Sequence, residues 1–178
     1  MKPSPTIQLL IRTKFRITSR AGANRVIVSE ISRYERIAES FNDTQRTKQF
    51  RVPEITGVDE DMRDWSFNQI LEHNILVNQS LTDVLRDLAG GIPMPRVIDP
   101  KTDVMPSDNP PKTVLEDFMT SVEDYEKVVA EYPKLRGTKT RPHPLFGDLD
   151  AHGWHCMFGL HLQIHRKQAQ AVADLATT

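Results

Sequence analysis

Histidine is the residue type with the clearest capacity for chemistry in this chain. Six are present among 178 residues, and five of them fall between His143 and His165. His161 and His165 stand four apart in a stretch where Trp154, Phe158, Gln168 and Val172 recur at helical spacing. Four residues make about one helical turn, so the two imidazoles project from one face, one above the other. A divalent ion needs convergent nitrogens at about 2.0–2.1 Å, and such a pair supplies two. Both lie on the apolar stripe and are therefore expected to point inward. His73 occupies the same kind of position between Ile70 and Val77 on another stripe. Burying an imidazole without a partner costs about 1–3 kcal/mol. Three such residues on the inward faces of two helices have a common explanation in a shared ion. Three protein ligands would leave coordination positions open, as catalytic sites do. Spacing alone also allows three ordinary core histidines, each satisfied by its own hydrogen bond.

The remaining reactive side chains weigh less. A helical metalloprotease needs Glu directly after the first histidine of the pair, and that position is Leu162. His152 and His155 fall at other angular positions in the first turns of the same helix, so a solvent or rim role is expected. His143 precedes Pro144 and could line the mouth of the fold. Cys156 lies off the histidine stripe and reads as a buried spectator. It is the only cysteine, which excludes an internal disulfide and a multi-cysteine zinc site.

Bulk properties remove other classes. Formal net charge is −1 and the pI is about 6.6, so no broad basic field exists for nucleic acid. No stretch reaches the roughly 20 apolar residues of a membrane helix, and Ile7–Ile11 is too short for a signal sequence. The expectation is a cytoplasmic protein of one domain spanning residues 1–178, with the first ~20 residues as a short helix or arm.

The elements that must carry the histidines can be read from pattern. Ile27, Ile31, Tyr34, Ala38 and Phe41 predict a helix from about Ser19 to Gln45, with Gly22 as a permissible break. A polar loop follows from about Thr47 to Asp64. Ser66 and Gln69 form a capping box, and Trp65 and Ile70 stand at the staple positions of a second helix. Gly90 and Gly91 stop it. A long proline-rich linker runs to about Lys112, too long for a tight hairpin. Thr113 and Glu116 predict a capping box for a third helix, which Pro133 ends. After a basic loop, Asp150 caps the fourth helix, with Leu149 and Trp154 at its staple positions. Four amphipathic helices, no strand pattern and one long connection predict an all-α protein, a four-helix bundle with a long crossover between helices two and three.

The run His143-Pro144-Leu145-Phe146-Gly147-Asp148-Leu149, followed by Trp154, Phe158, His161, His165 and Gln168, resembles the last helix of the DinB-like superfamily. Trp65-Ser66 with Leu71-Glu72-His73 resembles the opening of that family's second helix. The resemblance covers about residues 60–175. It implies the bundle with its crossover, and a divalent metal on His73, His161 and His165, with zinc or nickel ahead of iron, copper or manganese. It further implies a small-molecule substrate, and activities that include transfer of a low-molecular-weight thiol cosubstrate to an electrophile. A homodimer is also compatible with it. Two alternatives stand beside thiol transfer. One is a metal-dependent hydrolase, for which Glu72, about 100° around the helix from His73, is a poor general base. The other is a non-catalytic bundle that the metal only stabilises.

Overall fold

The computed structural model describes residues 4–94, 99 and 102–177. Among these, helices dominate: α1 (Pro5–Ile17), α2 (Arg20–Glu39), α3 (Asp43–Thr47), α4 (Phe67–Gly90), α5 (Val114–Glu131) and α6 (Ala151–Ala176), with a 3-10 turn at Glu60–Met62. No helix among the described residues is long and apolar enough to cross a membrane.

Capping chemistry sets most boundaries. Ser4 caps α1, and Ser19 caps α2 by accepting from the Gly22 N–H. The break between them therefore falls at Thr18–Ser19, and Gly22 lies inside α2. The expected helix from Ser19 to Gln45 also divides. Asn42 and Gln45 form a capping box that starts α3 afresh, because an Asn side chain competes with the helix for backbone donors. Ser66 and Gln69 form the expected box on α4, and Gly91 ends that helix in the left-handed conformation at φ 70°. The box expected at Thr113 is absent. Thr113 has helical backbone angles and sends its hydroxyl to Asp117 instead. Asp150 caps α6 through the Gly153 N–H.

One local feature departs from the all-helical expectation. The basic loop contains a two-stranded antiparallel ribbon, β1 (Arg141–His143) with β2 (Gly147–Leu149), in register Arg141 with Leu149. Three-residue strands are too short to display an alternating pattern, and Pro142 is tolerated because each strand is an edge. Gly147 turns the chain at φ 68°.

Side-chain pairs give the helix directions. Asn24, Tyr34 and Gln45 meet His155, Leu162 and Ala176 in that order, so α2 and α6 run the same way. Tyr34 with Asn74 and Phe41 with Phe67 make α4 antiparallel to α2. Asn78 bonds Ser121, and Gly90 lies against Tyr132, so α4 and α5 share a direction. The start of α5 therefore lies about one α4 length, roughly 36 Å for its 24 residues, back from the end of α4. The core between these helices holds Ile27, Tyr34, Phe67, Ile70, Phe118, Tyr125, Phe158 and Leu162, all fully buried.

A buried ion pair ties α2 to α6. Glu30 is 1% exposed, and its carboxylate accepts from Arg166 Nε at 2.8 Å and from Arg33 at 2.8 Å. A buried carboxylate stripped of one partner keeps its desolvation cost. Arg166→Ala is expected to lower stability by about 3 kcal/mol, read from the midpoint of urea unfolding. A change below about 0.5 kcal/mol would show that Arg33 alone satisfies Glu30.

Candidate metal centre

The three histidines singled out by spacing converge. His73 comes from the second turn of α4, and His161 and His165 come from the middle of α6. The His73 ring lies 5.2 Å from His161 and 4.6 Å from His165, and the latter two are 4.5 Å apart, centroid to centroid. One ring nitrogen from each lies within 4.8 Å of the others. Two nitrogens on one ion can be no farther apart than about 4 Å. The excess is under about 1 Å at its widest, so the cluster could hold a metal ion.

The hydrogen bonds decide which nitrogens are free. His73 Nδ1 donates to the Val104 carbonyl at 2.7 Å, which leaves Nε2 with its lone pair, buried and without a partner. His165 Nδ1 donates to Gln168 Oε1 at 2.9 Å, and Gln168 Nε2 donates in turn to the Met62 carbonyl at 2.6 Å. The amide is thereby oriented and the His165 tautomer fixed. His161 Nε2 is also buried and unpartnered. Metal-binding imidazoles commonly show this pattern, one nitrogen tied to an oxygen and the other left bare.

Burial keeps all three rings neutral. It is the largest cause in each case, holding His73 at about 4 and His165 at about 3. His161 is pushed well below the ordinary range by burial and then by His165 and His73. Neutral imidazole is the ligating form.

Segments expected to be mere connections build the surroundings. Gln69 Nε2 donates to the Ser107 carbonyl, and Glu72 Oε2 accepts from both the Ser107 N–H and its hydroxyl. With Val104 on His73, the connecting segment is pinned to the first turns of α4. Glu72 is thus committed to Ser107. On the other side Trp65 lies 5.0 Å from the His73 ring. The 47–64 segment, expected as a polar loop, buries Val52 and Val58 and supplies the Met62 carbonyl. Gly57, at φ 96°, sits so close to Ile164 that a Cβ there would come within 2.8 Å of it. Gln168 was legible as a stripe residue three positions after His165. The Val104 and Met62 carbonyls carry no side-chain signal that a sequence could display.

The other histidines sort differently. The expected rim role for His152 and His155 is incorrect, since they are 2% and 1% exposed. His152 Nε2 donates to the Thr18 carbonyl at 2.9 Å and approaches that of Phe15 at 3.2 Å. His155 donates from Nε2 to Asn24 Oδ1 at 2.7 Å and accepts from the Tyr125 hydroxyl at 3.1 Å. The reason is tertiary, because α1 and α2 cover the first turns of α6. His143 packs its ring on Phe146 and near Trp154. Burial raises the Cys156 thiol to about 11, so it stays protonated, as a spectator does.

A sequence model of the DinB superfamily matches residues 28–169, a span that contains α4, α5, most of α2 and α6, and all three clustered histidines. The chain belongs to the DinB superfamily. The match begins inside α2, well before the region near residue 60 where the motif resemblance starts. No curated protein and no solved structure matches the chain significantly.

Buried neutral histidines make the metal-free fold acid-sensitive. Each binds its proton less readily when folded, so protons favour the unfolded chain below its pKa of about 6.5. Stability is complete above that value and is lost as pH falls toward about 4 for His73 and about 3 for His165. Thermal melts in chelator should show a flat Tm from about pH 8 to 7 and a steady fall below about 6.5. A Tm independent of pH down to about 4 would contradict burial of the cluster.

Proposed function

We propose that this DinB-superfamily protein is a single-domain, metal-dependent enzyme acting on a small molecule, with a divalent ion held by His73, His161 and His165. Helices α2, α4, α5 and α6 would form its four-helix bundle, and residues 91–113 its crossover. The observation that carries the reading is the pair of buried, unpartnered Nε2 atoms on His73 and His161, beside a His165 whose Nδ1 is already engaged. Leaving such atoms bare costs about 1–3 kcal/mol apiece, and a shared ion removes that cost in one step.

Within that reading the favoured reaction is transfer of a low-molecular-weight thiol to an electrophile. A divalent ion held by the three imidazoles would supply a Lewis acid able to lower the pKa of a bound thiol. The protein's own groups do the positioning. The Val104 carbonyl and Gln168 hold two rings in one tautomer and orientation. Trp65 packs against the His73 ring, and the connecting segment is pinned beside it through Val104 and Ser107. The chain has no nucleophilic thiol to contribute, because Cys156 is buried and protonated. The sulfur must come with a cosubstrate. Hydrolysis is the second reading, and the engagement of Glu72 by Ser107 counts against it.

Elemental analysis of protein purified without a histidine tag is expected to find about one zinc or nickel per chain, and His73→Ala or His161→Ala should remove most of it. Full metal content in both variants would refute this ligand set. Gln168→Ala should weaken zinc affinity about 10–100-fold while leaving the helical circular-dichroism spectrum unchanged. An unaltered affinity would show that Gln168 does not orient His165. The metal-loaded protein should consume a model electrophile only when a small thiol is added. Thiol-independent hydrolysis would favour the second reading, and no turnover across a broad panel would leave a metal-stabilised bundle.

A further inference from the structure

Two ring N–H donors near the histidine cluster have no role in the account so far. Trp154 is 8% exposed, and its indole Nε1 is buried with no hydrogen-bond partner. A tryptophan has one donor and no acceptor, and a buried one usually finds an oxygen. Trp154 stands seven residues before His161 on α6. Seven residues return to within about 20° of the same helix face, so the indole and the imidazole share a side. Helical side chains lean toward the N-terminus, which sets Trp154 beyond His161 on the side away from His165.

His143 closes the same region from the hairpin. Its ring lies 5.2 Å from that of Trp154 and stacks on Phe146 at 4.8 Å. His143 Nδ1 accepts the Leu145 N–H at 3.1 Å, so the proton sits on Nε2. The tight turn Pro144–Gly147 fixes both the ring position and the tautomer. The motif His143-Pro144-Leu145-Phe146-Gly147 thus carries a neutral N–H donor on a ring whose centroid lies 5.2 Å from that of Trp154.

We propose that Trp154 Nε1–H and His143 Nε2–H form a donor pair that receives a carboxylate oxygen of the small molecule whose thiol end meets the ion. The inference rests on the metal-dependent reading above and names the chemical class of its cosubstrate, a thiol that also carries a carboxylate. Two donors from rings locked by packing cost the ligand little ordering, and both favour an oxygen with more than one lone pair. A plain alkyl thiol would leave the indole N–H bare, as it is now. Discrimination of about 10-fold per donor is expected, the size of one hydrogen bond to a charged group.

The test uses zinc-loaded full-length protein and two probes, 3-mercaptopropionate and 1-propanethiol. In 15N-labelled protein the indole cross-peak lost in Trp154→Phe should move on saturation with 3-mercaptopropionate and stay still with 1-propanethiol. Calorimetry should show the acid binding more tightly than the alkyl thiol. His143→Phe and Trp154→Phe should each weaken the acid about 10-fold, with zinc content and 1-propanethiol affinity unchanged. Equal affinity for the two probes, or an indole peak indifferent to both, overturns the donor pair while leaving the metal reading intact. Failure to bind zinc overturns the metal reading and this inference together. If Trp154→Phe does not fold, as a circular-dichroism melt would reveal, the wild-type titration and His143→Phe decide.

Discussion

Three neutral imidazoles, two of them buried and His161 partly buried, share one site, and much of the fold can be traced to that constraint. An imidazole in a helical core must either pair both nitrogens or leave one bare at a cost. Here the pairing is partial and ordered. His73 and His165 each give Nδ1–H to an oxygen, and Nε2 is left bare on His73 and on His161. The oxygens come from a connecting segment and from an amide that itself leans on a loop carbonyl. The helices supply the rings, and the connections between helices decide how the rings are oriented.

That division of labour explains why the connections are so firmly tied. Ser107 is held by Glu72 and Gln69, and Val104 by His73, which anchors part of the long 91–113 segment on α4. Gly57 and Met62 fit the 47–64 segment against α6 next to His165 and Gln168. Loops that cover a site on a rigid helical frame commonly carry its specificity. The hairpin β1–β2 belongs to this group, since it delivers His143 next to Trp154.

The same molecule shows how histidines in one helix can do different jobs. His152 and His155 are as buried as His165, yet their hydrogen bonds run to other helices and tie α6 to α1, α2 and α5. They behave as structural polar groups of the kind that fix how helices meet. Glu30 does the same work with charge, joining α2 to Arg166 one residue beyond His165. The buried imidazole nitrogens left bare, on His73 and His161, gather at one point.

The residues by themselves determined a good deal. Periodicity marked α4, α5 and α6, and caps marked the ends of α4 and the start of α6, because Ser66 with Gln69, Asp150, and the Gly91 stop are local signals that act within one helical turn. They also put His161 and His165 on one face, and the motifs around His143 and His73 pointed to the DinB superfamily. Only the tertiary structure could bring His73 to that pair, since 88 positions separate it from His161 and nothing local encodes their meeting. Tertiary packing also buried His152 and His155, because their exposure depends on where α1 and α2 lie and not on their own helix. The choice of free nitrogens was likewise tertiary. It rests on backbone carbonyls of Val104 and Met62, groups every residue carries and no sequence pattern distinguishes.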